Sequence, residues 1–406
     1  MLLDKIEVWV HDNLLKNNTI RHFLYGIYQR SLVLMSKKIK NEGSIVRVSP
    51  QDESEYLFGY YDKCPWSPDG KYMLALKVAN SYKKADSSDL AQIVRINLST
   101  KEAENLSTTH SWNVQQGCML QWLDNDNIIY NDYFNNRYCS VLLNTNNQEK
   151  RIFEAPIYSL SKKTDFALTL DFGRLHILRP GYGYMNFIQD IEPCPDSPCI
   201  WHLDIQTGEV KSILKYTDFC NFETRDNMIG ATHKVNHIMI SPNGKRFMVI
   251  HRWFVNGTKY SRLVTCNVDG TDMYNLSDDD FVSHCYWVDD ENIVAYLKKC
   301  EGKGYYMLTD KRPEYKKVWP ELVMDGHPSR SNAGVFVTDT YPDRQRLQSV
   351  YVMNEDNVRR VARLYSPFRY GGDVRCDLHP RWSRDGKEIC VDASFEGKRE
   401  LYIIKV

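Results

Sequence analysis

Histidine, arginine, aspartate and tyrosine recur in this chain at comparable places. One set precedes short β-rich runs: Tyr61-Asp62-Lys63, Trp112 with Gln115-Gln116, His237, His284, His327 and His379. Another set comes after such runs: Asp171 with Arg174, Arg252, and Asp339 with Tyr341 and Arg344. Loop tips ordinarily favour Gly, Ser, Asn and Lys, so a set rich in His, Arg, Asp and Tyr points to a binding or catalytic surface. The chemistry these types allow is specific. A histidine or Lys63 can take a proton, Tyr61 or Tyr341 can return one to a departing oxygen, and Arg174 or Arg252 can neutralise a carboxylate. His284, His327 and His379 hold equivalent places in three successive runs. Three imidazoles converging there would bind one divalent metal and leave positions open.

The elements that position these residues are hairpins. PWSPDGKYMLAL (65–76), MISPNGKRFMVI (239–250) and RWSRDGKEICVD (381–392) are nearly one sentence. Each reads strand, Asp-Gly or Asn-Gly, strand, because Gly and Asn tolerate the positive φ of a tight turn. Weaker copies begin at 120, 158, 285 and 328. Seven copies at a blade-like period, each with a second β pair after it, predict an all-β, seven-bladed propeller over 44–406. The last blade lacks an outer strand, and SIVRVS (44–49) is placed to supply it. In that geometry the turns lie on one face, and the starts of first strands and ends of second strands surround the opposite mouth. A long loop, RPGYGYMNFIQDIEPCPDSP (179–198), interrupts the third blade and brings Arg179, Tyr182 and Tyr184 as substrate contacts.

Residues 1–43 form a different segment, an amphipathic helical extension with apolar positions at near-helical spacing and a surplus of Lys and Arg over 1–41. Such a segment either caps the propeller or lies on a membrane surface. Lys+Arg and Asp+Glu balance at 52 each, so no global charge draws the chain to nucleic acid. The early charges Asp4, Lys5 and Glu7 break any signal-peptide core, and the eleven cysteines are scattered without CxxC spacing. Reduced thiols and a cytoplasmic location, with peripheral contact at the inner membrane face, are the expectation.

SHCYW (283–287), DGHPSRS (325–331) and DLHPRWSRDG (377–386) resemble the oligogalacturonate lyases, seven-bladed propellers that cleave uronic-acid oligosaccharides with a manganese-type metal. The resemblance implies a metal at the three histidines. Near the last of them, His379 keeps one of the family's two histidines. Arg381 stands at the place of the other, and Arg375 or Asp377 near its Gln; Arg375 and Arg381 enter as substrate contacts. FGYYDKCPWS (58–67), WNVQQGCMLQWL (112–123) and DFGRLHILRPGYGY (171–184) look like propeller proteins of bacterial surface-polysaccharide gene clusters, which implies glycan metabolism. The expected function is lyase-like β-elimination on an acidic glycan. The competing readings are a glycosyltransferase, with Asp62, Asp171 or Asp339 as base and Arg174, Arg179 and Arg252 on a sugar-nucleotide phosphate, and a non-catalytic interaction propeller.

Overall fold

Every predicted hairpin copy forms the inner pair of a four-stranded antiparallel sheet, and seven such sheets make the propeller. The computed structural model describes residues 26–31, 41–187, 190–355 and 357–406. Most of the expected 1–43 extension therefore lies outside the described residues. Of it, 26–31 is helical, with the Arg30 guanidinium 5.7 Å from the Phe368 ring centroid. Strand Ile45–Arg47 pairs with Glu400–Lys405, so the two ends of the chain share the seventh blade and close the ring. A hairpin alone exposes one apolar face; here each sheet buries both faces against its neighbours. The central strands Tyr72–Val78, Phe166–Leu170 and Asn292–Lys299 are accordingly almost wholly buried at their apolar positions.

The first blade departs from the simple repeat. Its innermost strand pairs as Glu55–Leu57 and again at Trp66, and the intervening residues leave the sheet. Gly59 permits this with φ +139° and no Cβ, since a Cβ there would meet the Gln116 carbonyl oxygen at 2.7 Å. The released segment runs into the central channel. Tyr60 and Tyr61 are 2 % exposed and fill it, dividing the channel into an upper cup and a lower vestibule.

The third blade and the stretch after it depart from expectation in two ways. The insertion starts earlier than 179, with helix Phe172–Leu178 capped by the Asp171 side chain on the Arg174 amide. A further helix, Tyr216–Asn221, lies outside the long loop. Cys194 and Cys220 form a disulfide, which corrects the expectation that all the thiols are reduced. The pairing joins the insertion to that second helix across 26 residues of sequence, and no spacing motif announces it.

Candidate active site in the upper cup

β-Bulges aim two of the histidines. The pairing register slips between Asn236 and Met239, and between Val282 and Cys285, which turns His237 and His284 out of their ladders and toward the axis. His237 and His379 also adopt left-handed backbone, with φ of 57° and 44°. Non-glycine residues are strained in that conformation and keep it where surroundings over-determine it, often at functional sites. The imidazoles of His284, His327 and His379 meet as expected: ring centroids lie 4.2 Å apart for the first two and 4.3 Å for the last two. Tyr60 forms the floor beneath them, with its ring within 6.5 Å of His237, His284, His327 and His379.

Carboxylates fix these rings. Asp339 accepts from the backbone amides of His327 (2.8 Å) and His379 (3.0 Å) and faces His327 Nδ1 at 2.8 Å. Asp325 holds His284 Nδ1 at 3.0 Å. With Nδ1 so engaged, Nε2 of His327 is directed elsewhere, and it has no partner; Nε2 of His379 is likewise buried and unpartnered. The compact ligand-like set differs from the three histidines read in the sequence. His327, Asp377 and His379 each offer an atom within 4.8 Å of the others, and His284 stands beside them. Asp377 also receives a bidentate Arg375 guanidinium at 2.5 and 2.9 Å. Burial alone would raise the Asp377 carboxyl; Arg375 outweighs it and holds the group below the usual carboxylate range. Burial alone would lower His327; Asp339 outweighs it and raises it. Burial, then the Arg252 charge, pushes His237 well below the usual imidazole range, so it is a neutral imidazole at pH 7.

The wall from the third and fourth blades is cationic; the sequence reading named Arg179 and Arg252 of it but not Lys234 and Lys259. Lys234 sits directly across the ladder from Arg252, a like-charge pair that is destabilising in a sheet. Arg179 and Lys259 complete the group. Burial and the neighbouring Arg252 and Arg179 charges push Lys234 well below the usual lysine range and Lys259 down to about 8. Among the described residues none of these four makes an ion pair. Arg252 donates to Asn236 Oδ1 and to backbone carbonyls, and its buried Nε has no partner. The one signal in the sequence is the unusually long fourth-blade hairpin, Arg246–Val255 with Thr258–Asn267, which carries Arg252 and Lys259.

The other predicted residues separate clearly. Tyr341 belongs to the cup, its ring 5.8 Å from His327 and 4.1 Å from the Arg375 guanidinium. Tyr182 is buried against Tyr60 and His237. Tyr61 packs on His327 at 5.4 Å, but its hydroxyl donates to the Cys285 carbonyl and is not open to a substrate. Asp62 and Lys63 are misplaced by the sequence reading. The channel segment carries them through to the opposite face, where they pair with each other at 2.9 Å. Arg174 is also not a cup residue: its guanidinium is taken up by the carbonyls of His233, Glu192 and Pro193. Arg381 is 1 % exposed, paired with Asp392, and donates to the carbonyls of Gly59 and Tyr60, so it anchors the channel segment instead of contacting substrate. Gln115 donates to the Arg375 carbonyl and Gln116 to the Tyr158 hydroxyl. Trp112 donates to Asp89, Asp171 caps its helix, and Tyr184 stacks on Phe172 at 4.4 Å. These five support loops around the cup. Arg344 is exposed on the loop after Asp339.

Fold and site together define a seven-bladed propeller with a polar, one-ended cup of imidazoles, carboxylates and unpaired cations. The seven-bladed fold is shared with an oligogalacturonate lyase from Vibrio parahaemolyticus, at TM-score 0.62 and 15 % identity over 90 % of this chain and 96 % of the other. An oligogalacturonate lyase in complex with manganese superimposes with TM-score 0.65 and 17 % identity, over 90 % of this chain and 93 % of that one. TolB from Acinetobacter baumannii matches more loosely, with TM-score 0.41, 11 % identity and coverage of 83 % and 81 %. No protein-family model and no curated protein matches this chain. No helix among the described residues is long and apolar enough to cross a membrane.

Proposed function

We propose that the chain is a lyase acting by β-elimination on an acidic, uronate-containing oligosaccharide. The observation that carries this reading is the division of the cup: an unpaired cationic wall faces a buried histidine–carboxylate set with two orphaned imidazole nitrogens. Charges of one sign held together without counter-ions raise the energy of the empty site and favour an anionic ligand.

The donor set fits a divalent ion of the manganese type. Two imidazoles and a carboxylate lie within reach of one another, and a carboxylate on Nδ1 of His327 leaves Nε2 free in the manner of metal-binding histidines. His327, Asp377 and His379 would hold it; bound there it would neutralise a substrate carboxylate and acidify the hydrogen on the adjacent carbon. The chain's own residues supply the remainder. Arg252 and its cationic neighbours hold the acidic sugar. His237 is neutral and lies in the cup, with the Tyr60 hydroxyl 3.0 Å from its Nδ1 and 3.4 Å from its Nε2. In the tautomer that donates from Nδ1 to Tyr60, Nε2 carries the lone pair that takes the proton beside the carboxylate. The carbon–oxygen bond to the leaving sugar then breaks, a carbon–carbon double bond forms in conjugation with the carboxylate, and the departing oxygen takes a proton. Tyr341 is the donor at hand, since burial keeps its hydroxyl protonated.

The test is direct. Oligogalacturonate is incubated with the full chain and Mn²⁺, and ultraviolet absorbance of the conjugated double bond is monitored. Absorbance should rise, and His237→Ala should abolish the rise while the protein still binds manganese. No product from any uronate oligomer in the presence of bound metal would overturn the reading.

A further inference from the structure

On the face opposite the cup, the channel opens again into a polar vestibule that the elimination does not use. Its blind end is the Tyr61 ring with the Asp62–Lys63 pair, whose side chains are only 6 % and 4 % exposed. Two adjoining cavities of about 230 and 170 Å³ share Asp62, Lys63, Tyr286, Arg330 and Asn332 as walls. Innermost strands and turns of all seven blades contribute to the lining. Ligand pockets run from roughly 300 to 1,000 Å³, so this space suits one small molecule and excludes a polymer.

The charge of the vestibule is uneven. Asp62 is matched by Lys63, while Lys162, Arg330 and Arg384 make no ion pair among the described residues. Two donors on its walls lack acceptors: the buried Nε–H of Arg330 and the indole N–H of Trp382, a residue 8 % exposed. Side-chain amides of Gln121 and Asn332 and the hydroxyl of Ser331 add neutral hydrogen-bonding groups, and Tyr286 and Trp287 add aromatic surface. Surplus positive charge, unmatched donors, amides and aromatic rings in one small cavity are the features of a site for a hydroxylated anion.

We infer that the vestibule binds a small hydroxylated carboxylate, about the size of a single uronic acid. Arg330 takes the carboxylate, Lys162 adds charge at the rim, and the amides meet hydroxyls. The Tyr60–Tyr61 segment separates this site from the cup, so the two are distinct.

Titration calorimetry of the full chain with galacturonate tests this, with inorganic phosphate as the charge-only probe. The Asp377→Asn variant disables the cup and isolates the vestibule from the proposed reaction. Asp377→Asn should retain a galacturonate site, Arg330→Gln on that background should weaken it at least tenfold, and Lys162→Ala, an exposed change that cannot unfold the blade, should weaken it several-fold. Absence of galacturonate binding to Asp377→Asn would overturn the inference. So would unchanged affinity in both Arg330→Gln and Lys162→Ala, or displacement of galacturonate by phosphate at equal affinity.

Discussion

Asp339 is the residue whose loss should harm the cup most for the smallest change in volume. It is 1 % exposed and its two oxygens serve three donors: the His327 amide, the His379 amide and His327 Nδ1. Asp339→Asn keeps the shape and removes the charge. One carboxamide oxygen can still accept, but the NH₂ group then points a donor at at least one of those N–H groups. A buried donor left unsatisfied costs about 1–3 kcal/mol, and breaking a buried ion pair by removing one partner costs about 3–5 kcal/mol. The two overlap here, because the same atoms are involved, so the expected loss of stability is about 3–5 kcal/mol. The functional consequence is larger than the structural one. Groups that orient metal ligands typically change metal affinity by roughly 10–100-fold in Kd when removed. Denaturant unfolding and manganese titration on the same samples measure both quantities. A variant with unchanged stability and unchanged manganese affinity would refute the assignment of Asp339 as the group that orients His327 and His379.

Two further outcomes rest on named contacts. Lys259 carries a pKa lowered to about 8, so it is cationic below that value and neutral above it; KM for an acidic oligosaccharide should rise as pH passes through 8, and Lys259→Ala should raise KM at pH 7 and flatten that dependence. Gly326 has no room for a side chain, since a Cβ would lie 1.9 Å from the Asp339 carbonyl oxygen; Gly326→Ala should destabilise by about 1–3 kcal/mol in denaturant unfolding and displace His327, lowering manganese affinity while the far-ultraviolet circular dichroism stays β-rich.

The blades were legible because Asp-Gly and Asn-Gly turns mark hairpins locally, and the cup histidines because blade geometry converts the start of an inner strand into a place at the mouth. His284, His327 and His379 meet for that reason, although more than forty residues separate each from the next. The errors have equally definite causes. Asp62 and Lys63 obey the same rule of position but sit in a segment that leaves its ladder after Leu57, and a bulge of that length has no periodic signature. Arg174 and Arg381 have the right type for binding an acid, yet in a folded interior a guanidinium is also the best donor for several backbone carbonyls at once, and both are used in that way. Asp377 stands out in the sequence only through its nearness to a family position. Its role depends on its distance from His327, fifty residues away in sequence, which spacing does not encode. Lys234 was invisible because its meaning comes from the strand opposite.

The channel segment explains why a scaffold of seven similar blades has two unlike ends. A plain propeller is open along its axis, and water would then screen any charge placed in the middle. Here Gly59 lets the chain leave the first blade, Tyr60 and Tyr61 fill the axis, and Arg381 of the seventh blade holds the carbonyls of Gly59 and Tyr60 from below. Arg381 thus serves the site through its floor. With the axis closed, the imidazoles, Asp377, Lys234 and Arg252 share a desolvated compartment in which their mutual interactions are strong: burial lowers His237, His379 and Lys234, while neighbouring charges outweigh burial at His327 and Asp377. Arg381→Lys, which cannot hold both carbonyls and Asp392 together, should therefore loosen Tyr60, readmit water to the cup and bring the His237 pKa back toward the ordinary imidazole range. Histidine titration by NMR reads that change, and a His237 pKa unmoved in Arg381→Lys would show that the floor is held by packing of the tyrosines alone.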